Sequence, residues 1–264
     1  MIKIRYYFIF CFVILLSACN SQQPVNDNKE NKKNTSITIS AASSLHDVLG
    51  EIENEYKKEH PTSSLVFNFG GSGSLMQQIE KGAPIDLFIF ADQKKADQLL
   101  EKGFAEKDTV TNFLGNQLVL VMPNESSLAI SETGDLINNN IKRIAIGTPE
   151  IVPAGYYSKQ ALQTLKLWDT LEKKMVFTKD VRQVLTYVET GNVDAGLVYL
   201  TDAMHSKKTR IATHIPDTTH DSIVYSTGLI STSKQKKEAK KFLTFLLTDQ
   251  AKAVYKKYGF IVLE

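Results

Sequence analysis

From Ser36 to its end the chain alternates short apolar runs with longer amphipathic stretches. Ile37–Ser40 (ITIS), Leu65–Phe69 (LVFNF), Ile85–Phe90 (IDLFIF), Gln117–Met122 (QLVLVM), Arg143–Ile146 (RIAI), Met175–Thr178 (MVFT) and Gly196–Tyr199 (GLVY) are rich in β-branched and aromatic residues and predict strands. Between them apolar residues recur at helical spacing. Leu45, Val48, Leu49, Ile52 and Tyr56 form one such stripe, and Val181, Val184, Leu185 and Val188 another, with Gly191 in position to close the second helix. Near the C-terminus Ala239, Phe242, Leu243 and Leu246 make a third. Ala251, Val254, Tyr255 and Tyr258 make a fourth after Asp249. Strands alternating with helices, without an internal repeat, predict an α/β protein with largely parallel sheets.

The first segment follows a different pattern. Lys3 and Arg5 precede an apolar run from Tyr6 to Leu16, and small residues follow at Ser17 and Ala18, which are the three parts of a secretory signal. The run is short for a membrane helix. Leu16-Ser17-Ala18-Cys19 resembles the bacterial lipobox, in which the cysteine is diacylated and becomes the new N-terminus. Residues 1–18 are therefore expected to be a signal peptide. Residues 19–35 are expected to be a flexible tether, because Asn20–Asn34 (NSQQPVNDNKENKKN) has Val25 as its apolar residue and little else to bury. The two cysteines are Cys11 and Cys19, so a processed chain keeps none for a disulfide and relies on its core. The expected location is extracytoplasmic, held to the cell membrane through Cys19 as in the Gram-positive arrangement.

Composition narrows the class. With 42% hydrophobic and 23% charged residues over 264 positions, disorder, collagen and coiled coil are excluded. A mean hydropathy of −0.18 excludes a polytopic transporter. Lys+Arg number 31 and Asp+Glu 29, and the net +2 resides in Lys3 and Arg5. The mature chain is neutral, which argues against nucleic acid as a partner.

In open α/β sheets ligands sit beyond the carboxyl ends of strands, where helix N-termini present free N–H groups. Four strand-to-helix junctions are rich in such donors: Ser40–Ser44, Gly70–Ser74 (GGSGS), Pro149–Gly155 (PEIVPAG) and Thr178–Val181. Taken singly, each reads as a cap or a turn. Together they point to an anion site. Other chemistries fit less well. The Gly70 segment has no P-loop lysine, and a nucleophile elbow around Ser72 lacks its last glycine because Ser74 stands there. The five histidines show no metal-ligand spacing, and no catalytic cofactor is expected. Tyr156-Tyr157 could ligate ferric iron, but the simpler reading packs Tyr157 in a helix face and leaves Tyr156 near the surface.

Ala41-Ala42-Ser43-Ser44-Leu45, Gly82-Ala83-Pro84-Ile85-Asp86-Leu87-Phe88, Ala91-Asp92-Gln93, Leu114-Gly115-Asn116, Val152-Pro153-Ala154-Gly155, Asp180-Val181-Arg182, Val198-Tyr199 and Lys257-Tyr258-Gly259-Phe260 occur in this order. The ordered set resembles the molybdate-binding proteins of bacterial molybdate ABC importers over essentially the whole mature domain. The resemblance implies a periplasmic-binding-protein type II fold, with two lobes each built on a mixed, mostly parallel sheet flanked by helices, and the ligand in the cleft. It implies a monomeric receptor that binds molybdate and commonly tungstate, as an oxyanion rather than a free cation, and delivers it to membrane permease subunits. Lobe one is expected over 36–116 plus 226–264, and lobe two over 117–225. Carried across by position, the family's donors fall on Ser44 and Ser72 (hydroxyl and N–H), Ala154 and Val181 (N–H) and Tyr199 (phenol), with Ser43 and Ser74 as neighbouring alternatives.

None of these donors is cationic. Hydrogen bonds to a charged group contribute roughly 1.5 to 3 kcal/mol each, so about seven suffice for micromolar to nanomolar binding after the costs of association. A donor-only site should reject hydrogen phosphate, whose proton would meet a donor, and should exclude sulfate only by size. Arg182 is expected to pair with a carboxylate, and Asp180 would sit unfavourably near a dianion unless its carboxylate turns away to cap backbone groups. The alternatives are a receptor for sulfate or ferric iron, and a lipid-anchored hydrolase using Ser72.

Overall fold

The computed structural model describes residues 35–264. The signal peptide, Cys19 and nearly all of the tether lie outside the described residues. In chain order the elements are β1 (Thr35–Ala42), α1 (His46–Glu59), β2 (Ser63–Gly70), α2 (Ser72–Glu80), β3 (Leu87–Phe90), α3 (Gln93–Glu101), β4 (Thr111–Gly115), β5 (Leu118–Pro123), β6 (Ile144–Gly147) and α4 (Pro153–Thr164). They continue with α5 (Trp168–Leu171), β7 (Met175–Thr178), α6 (Val181–Glu189), β8 (Ala195–Tyr199), α7 (Leu200–Met204), β9 (Thr209–His214), β10 (Val224–Leu229), α8 (Lys236–Leu246), α9 (Asp249–Lys257) and β11 (Ile261–Val262).

The strands form two mixed sheets. One has six strands in the order β11-β4-β10-β3-β1-β2, and the other five in the order β7-β6-β8-β5-β9. In each, three neighbours run parallel: β2, β1 and β3 in the first, and β7, β6 and β8 in the second. A strand that has come across from the other sheet lies antiparallel beside each trio, β10 on β3 and β5 on β8. The chain leaves the first sheet after Gly115, enters the second at Leu118, and returns between His214 and Val224. The return precedes the expected boundary, since Val224 and Tyr225 already pair with Gly115 and Leu114 of β4.

The sequence pattern accounts for this architecture. β3 is apolar at every position because both its faces are covered: Leu87 and Ile89 join the main core, while Phe88 and Phe90 pack with Leu75, Met76, Ile79 and Leu99 of α2 and α3. The predicted stripe on α1 is buried throughout, as is that on α6. Gly191 has a φ of 68°, and its N–H and that of Asn192 donate to the Val188 and Tyr187 carbonyls, closing α6. Asp92, Asp180 and Thr248 cap α3, α6 and α9 through their side chains.

Candidate oxyanion site

Carboxyl ends of strands from both sheets face one seam. In the first lobe β1 runs into a tight 3-10 turn, Ser43–Leu45, and β2 passes through Gly71 into α2. In the second lobe β6 leads into α4, β7 into α6 and β8 into α7. The lobes meet there backbone to backbone, with the Gly73 N–H donating to the Ile151 carbonyl at 3.0 Å. A Cβ on Gly71 would stand 2.6 Å from the Ile151 carbonyl oxygen, and one on Gly73 2.7 Å from the Ile151 Cα. Side chains at these two positions would hold the lobes apart.

All five positions expected to carry donors are buried. Ser44 and Ser72 open helical turns, yet neither caps its own helix. The Ser44 hydroxyl reaches 2.8 Å across to the Tyr225 phenol of β10, and the Ser72 Oγ accepts from the Ala91 N–H at 3.0 Å. Ser74, the alternative in the same segment, is only half-buried. Ala154 and Val181 occupy the first turns of α4 and α6, where backbone N–H groups have no intrahelical acceptor. Tyr199 ends β8 and is 1% exposed. Its hydroxyl has no hydrogen-bond partner among the described residues. Burial holds this phenol well above its ordinary pKa, so it remains a donor.

The direction of the hydroxyl hydrogens follows from Asn116, at the first crossing between sheets. Its Oδ1 accepts from the Gln117 N–H at 2.9 Å, which orients the amide. Both hydrogens on its Nδ2 are then committed, one to Thr201 Oγ1 at 2.9 Å and one to the Tyr225 oxygen at 3.1 Å. With Asn116 donating to its oxygen, Tyr225 has its own hydrogen to give and Ser44 is the acceptor in reach; a Ser44 that accepts it keeps its hydrogen for a ligand. Burial raises the pKa of Tyr225 and keeps the phenol hydrogen in place. Ser72 is arranged likewise, because its oxygen already accepts from Ala91.

Cations flank the seam without being part of the donor set. Arg182 Nη1 donates to Asp47 Oδ2 of α1 at 2.8 Å, joining the lobes on one side. Partial burial works against the Asp47 charge, but Arg182 and His46 outweigh it and hold the carboxyl below its ordinary range. Lys94 of α3 donates to the Tyr156 phenol at 2.9 Å and to Asp221 at 2.8 Å, and these two partners raise its pKa. Asp180 turns its Oδ1 to the Gln183 N–H at 2.9 Å, as a cap. Tyr156 and Tyr157 pack edge to face, with ring centroids 5.5 Å apart and planes at 67°, and the Tyr156 oxygen accepts from Lys94, an ammonium where a ferric site would need a metal.

Sequence reasoning missed Tyr225, Asp202 and the spacing role of Gly71 and Gly73. Asn116 stood in a quoted motif without a role. Tyr225 is 181 residues from Ser44 and carries no local signal.

Two lobes closing on a seam of uncharged donors define a receptor for a small solute. The chain belongs to the bacterial extracellular solute-binding proteins, whose family model matches residues 37–261. Among curated proteins it is 44% identical over 247 residues to YvgL of Bacillus subtilis, provisionally named an ABC transporter substrate-binding lipoprotein, covering 94% of this chain and 93% of that one. It is 38% identical over 231 residues to the molybdate-binding protein ModA of Escherichia coli, covering 86% and 89%. The fold is shared with the periplasmic molybdate-binding protein of Azotobacter vinelandii at a TM-score of 0.79 and 24% identity, covering 86% of this chain and all of that one.

Proposed function

We propose that this protein binds molybdate, and with it tungstate, outside the cytoplasm and delivers it to the permease of an ABC importer, acting as a monomer held to the membrane through Cys19. The donors are the hydroxyls of Ser44, Ser72 and Tyr199 and the N–H groups of the serines, Ala154 and Val181. The observation that carries this reading is the Tyr199 phenol, buried between lobes with no acceptor among the described residues. A buried donor left unpaired is costly, and an oxyanion in the cleft supplies the acceptor it needs. The kinship with ModA supports molybdate in particular. The bond from Ala91 supports Ser72 as a binding donor rather than a nucleophile, since an amide already engages one of its two oxygen lone pairs. The lipoprotein name of YvgL supports the role of Cys19.

Titration calorimetry of residues 20–264 with molybdate, tungstate, sulfate, phosphate and ferric citrate tests the reading. Molybdate and tungstate should bind with comparable affinity, with sulfate far weaker and phosphate and iron silent. Preference for sulfate or ferric citrate would refute it.

A further inference from the structure

Asp202 stands three residues beyond Tyr199, in α7, and is 5% exposed. Neither carboxylate oxygen has a hydrogen-bond partner among the described residues. An ionised carboxylate so placed has lost its hydration and gains in return only the pull of the Tyr199 backbone N–H and of Arg182, and a proton relieves the remaining cost. The elements packed against α7 supply little compensation. β5 carries no ionisable side chain, and β8 ends in the Tyr199 phenol. On β9, Arg210 is turned to the Ser126 and Leu128 carbonyls and His214 is exposed. On α6, Glu189 is bonded to Ser206, while Arg182 and the capping Asp180 act on Asp202. From the other lobe come Asp47 and the Tyr225 phenol. Arg182, the cation that acts on Asp202, is already paired with Asp47. Burial foremost pushes the carboxyl up to about 7. Arg182 and the Tyr199 backbone N–H pull it back, and Asp47 and Asp180 add to the rise.

We propose that Asp202 is a proton-binding site coupled to the oxyanion site, so that the receptor takes up a proton from solvent as it takes up the dianion. This rests on the oxyanion reading of the cleft. The only bond formed is the carboxyl O–H. A dianion held by the neighbouring Tyr199 phenol adds negative charge near Asp202 and raises its affinity for a proton. The pKa with anion bound then lies above that without it. Proton uptake falls in the window from about pH 7 upward, and affinity is highest below that window and declines by up to about tenfold per pH unit within it.

The test is titration calorimetry of the full mature chain with molybdate between about pH 6 and about pH 9, in buffers of different ionisation enthalpy. The expected result is uptake of a fraction of a proton per anion that grows as pH rises through about 7, with affinity falling over the same range. Asp202→Asn should abolish the uptake and flatten the profile. Asp92→Asn, at the other buried carboxyl raised by burial, should leave the uptake intact. Molybdate binding by the unmodified protein without proton exchange overturns the inference alone and needs no variant to fold. Uptake that survives Asp202→Asn and disappears in Asp92→Asn overturns it by moving the proton to α3. A chain that binds neither molybdate nor tungstate overturns both this inference and the function on which it rests.

Discussion

Gly71→Ala adds a single methyl group where the lobes touch. The backbone there, at φ −68° and ψ 133°, suits alanine, so lobe one should fold without strain. The new Cβ would meet the Ile151 carbonyl oxygen at 2.6 Å, the Lys179 oxygen at 3.1 Å and Val152 Cγ2 at 3.2 Å, all belonging to lobe two. Restoring ordinary contact requires the lobes to part by about 0.8 Å at this point. The hydrogen bond from Gly73 to Ile151, now 3.0 Å, would stretch beyond useful length, and the Ala154 and Val181 amides would retreat from the first lobe's hydroxyls. An overpacked methyl costs about 1–3 kcal/mol, which corresponds to molybdate binding about 5- to 150-fold weaker. Calorimetry reads the affinity, and thermal melts with and without molybdate separate closure from folding. The melting temperature without ligand should be unchanged while the ligand-induced rise shrinks. Unchanged affinity, or a loss of ligand-free stability as large as the loss of binding, would refute the reasoning.

Three further outcomes are expected. Tyr199→Phe removes a hydroxyl with no partner among the described residues, so the ligand-free melting temperature should hold while molybdate affinity drops about 10- to 150-fold in calorimetry. Tyr225→Phe leaves Ser44 free to turn its hydrogen away, and its effect on affinity should largely vanish in a Ser44→Ala background; additive losses would contradict the hydrogen assignment. Arg182→Ala should weaken binding by less than about fivefold, with the difference fading in high salt, because side chains 38% and 42% exposed make a weak pair.

Most of the fold could be read from the chain wherever a strand carries a run of apolar or β-branched residues, whether it is covered on both faces like β3 or lies at an edge like β2 and β7. β1, β2, β3, β5, β6, β7 and β8 coincide with the apolar runs. The strands that went unread are polar, half-exposed or very short. β10 (VYSTGL) lies centrally between β3 and β4, yet Ser226 and Thr227 disguise it; their hydroxyls are satisfied by the Asn112 side chain and the Phe88 carbonyl, partners that no local pattern reveals. β9 (TRIATH) is an edge strand with mostly exposed or half-exposed positions, and β11 is two residues long. The donor junctions were visible for the same reason as the strands, since each follows directly on an apolar run. Tyr225 was not, because its importance depends on a strand arriving from the far end of the chain. Asp202 was hidden differently: an aspartate in the first turn of a helix looks like a favourable charge at a helix end until burial is known.

Asn116 gives the receptor a mechanical property. Its side chain grips Thr201 of the second lobe and, through Tyr225, the Ser44 hydroxyl of the first, from the very peptide where the chain changes sheets. Rotation about that crossing cannot leave the serine undisturbed. Parting the halves therefore pulls on the bond that orients the Ser44 hydroxyl, so the geometry of one lobe's site depends on the position of the other.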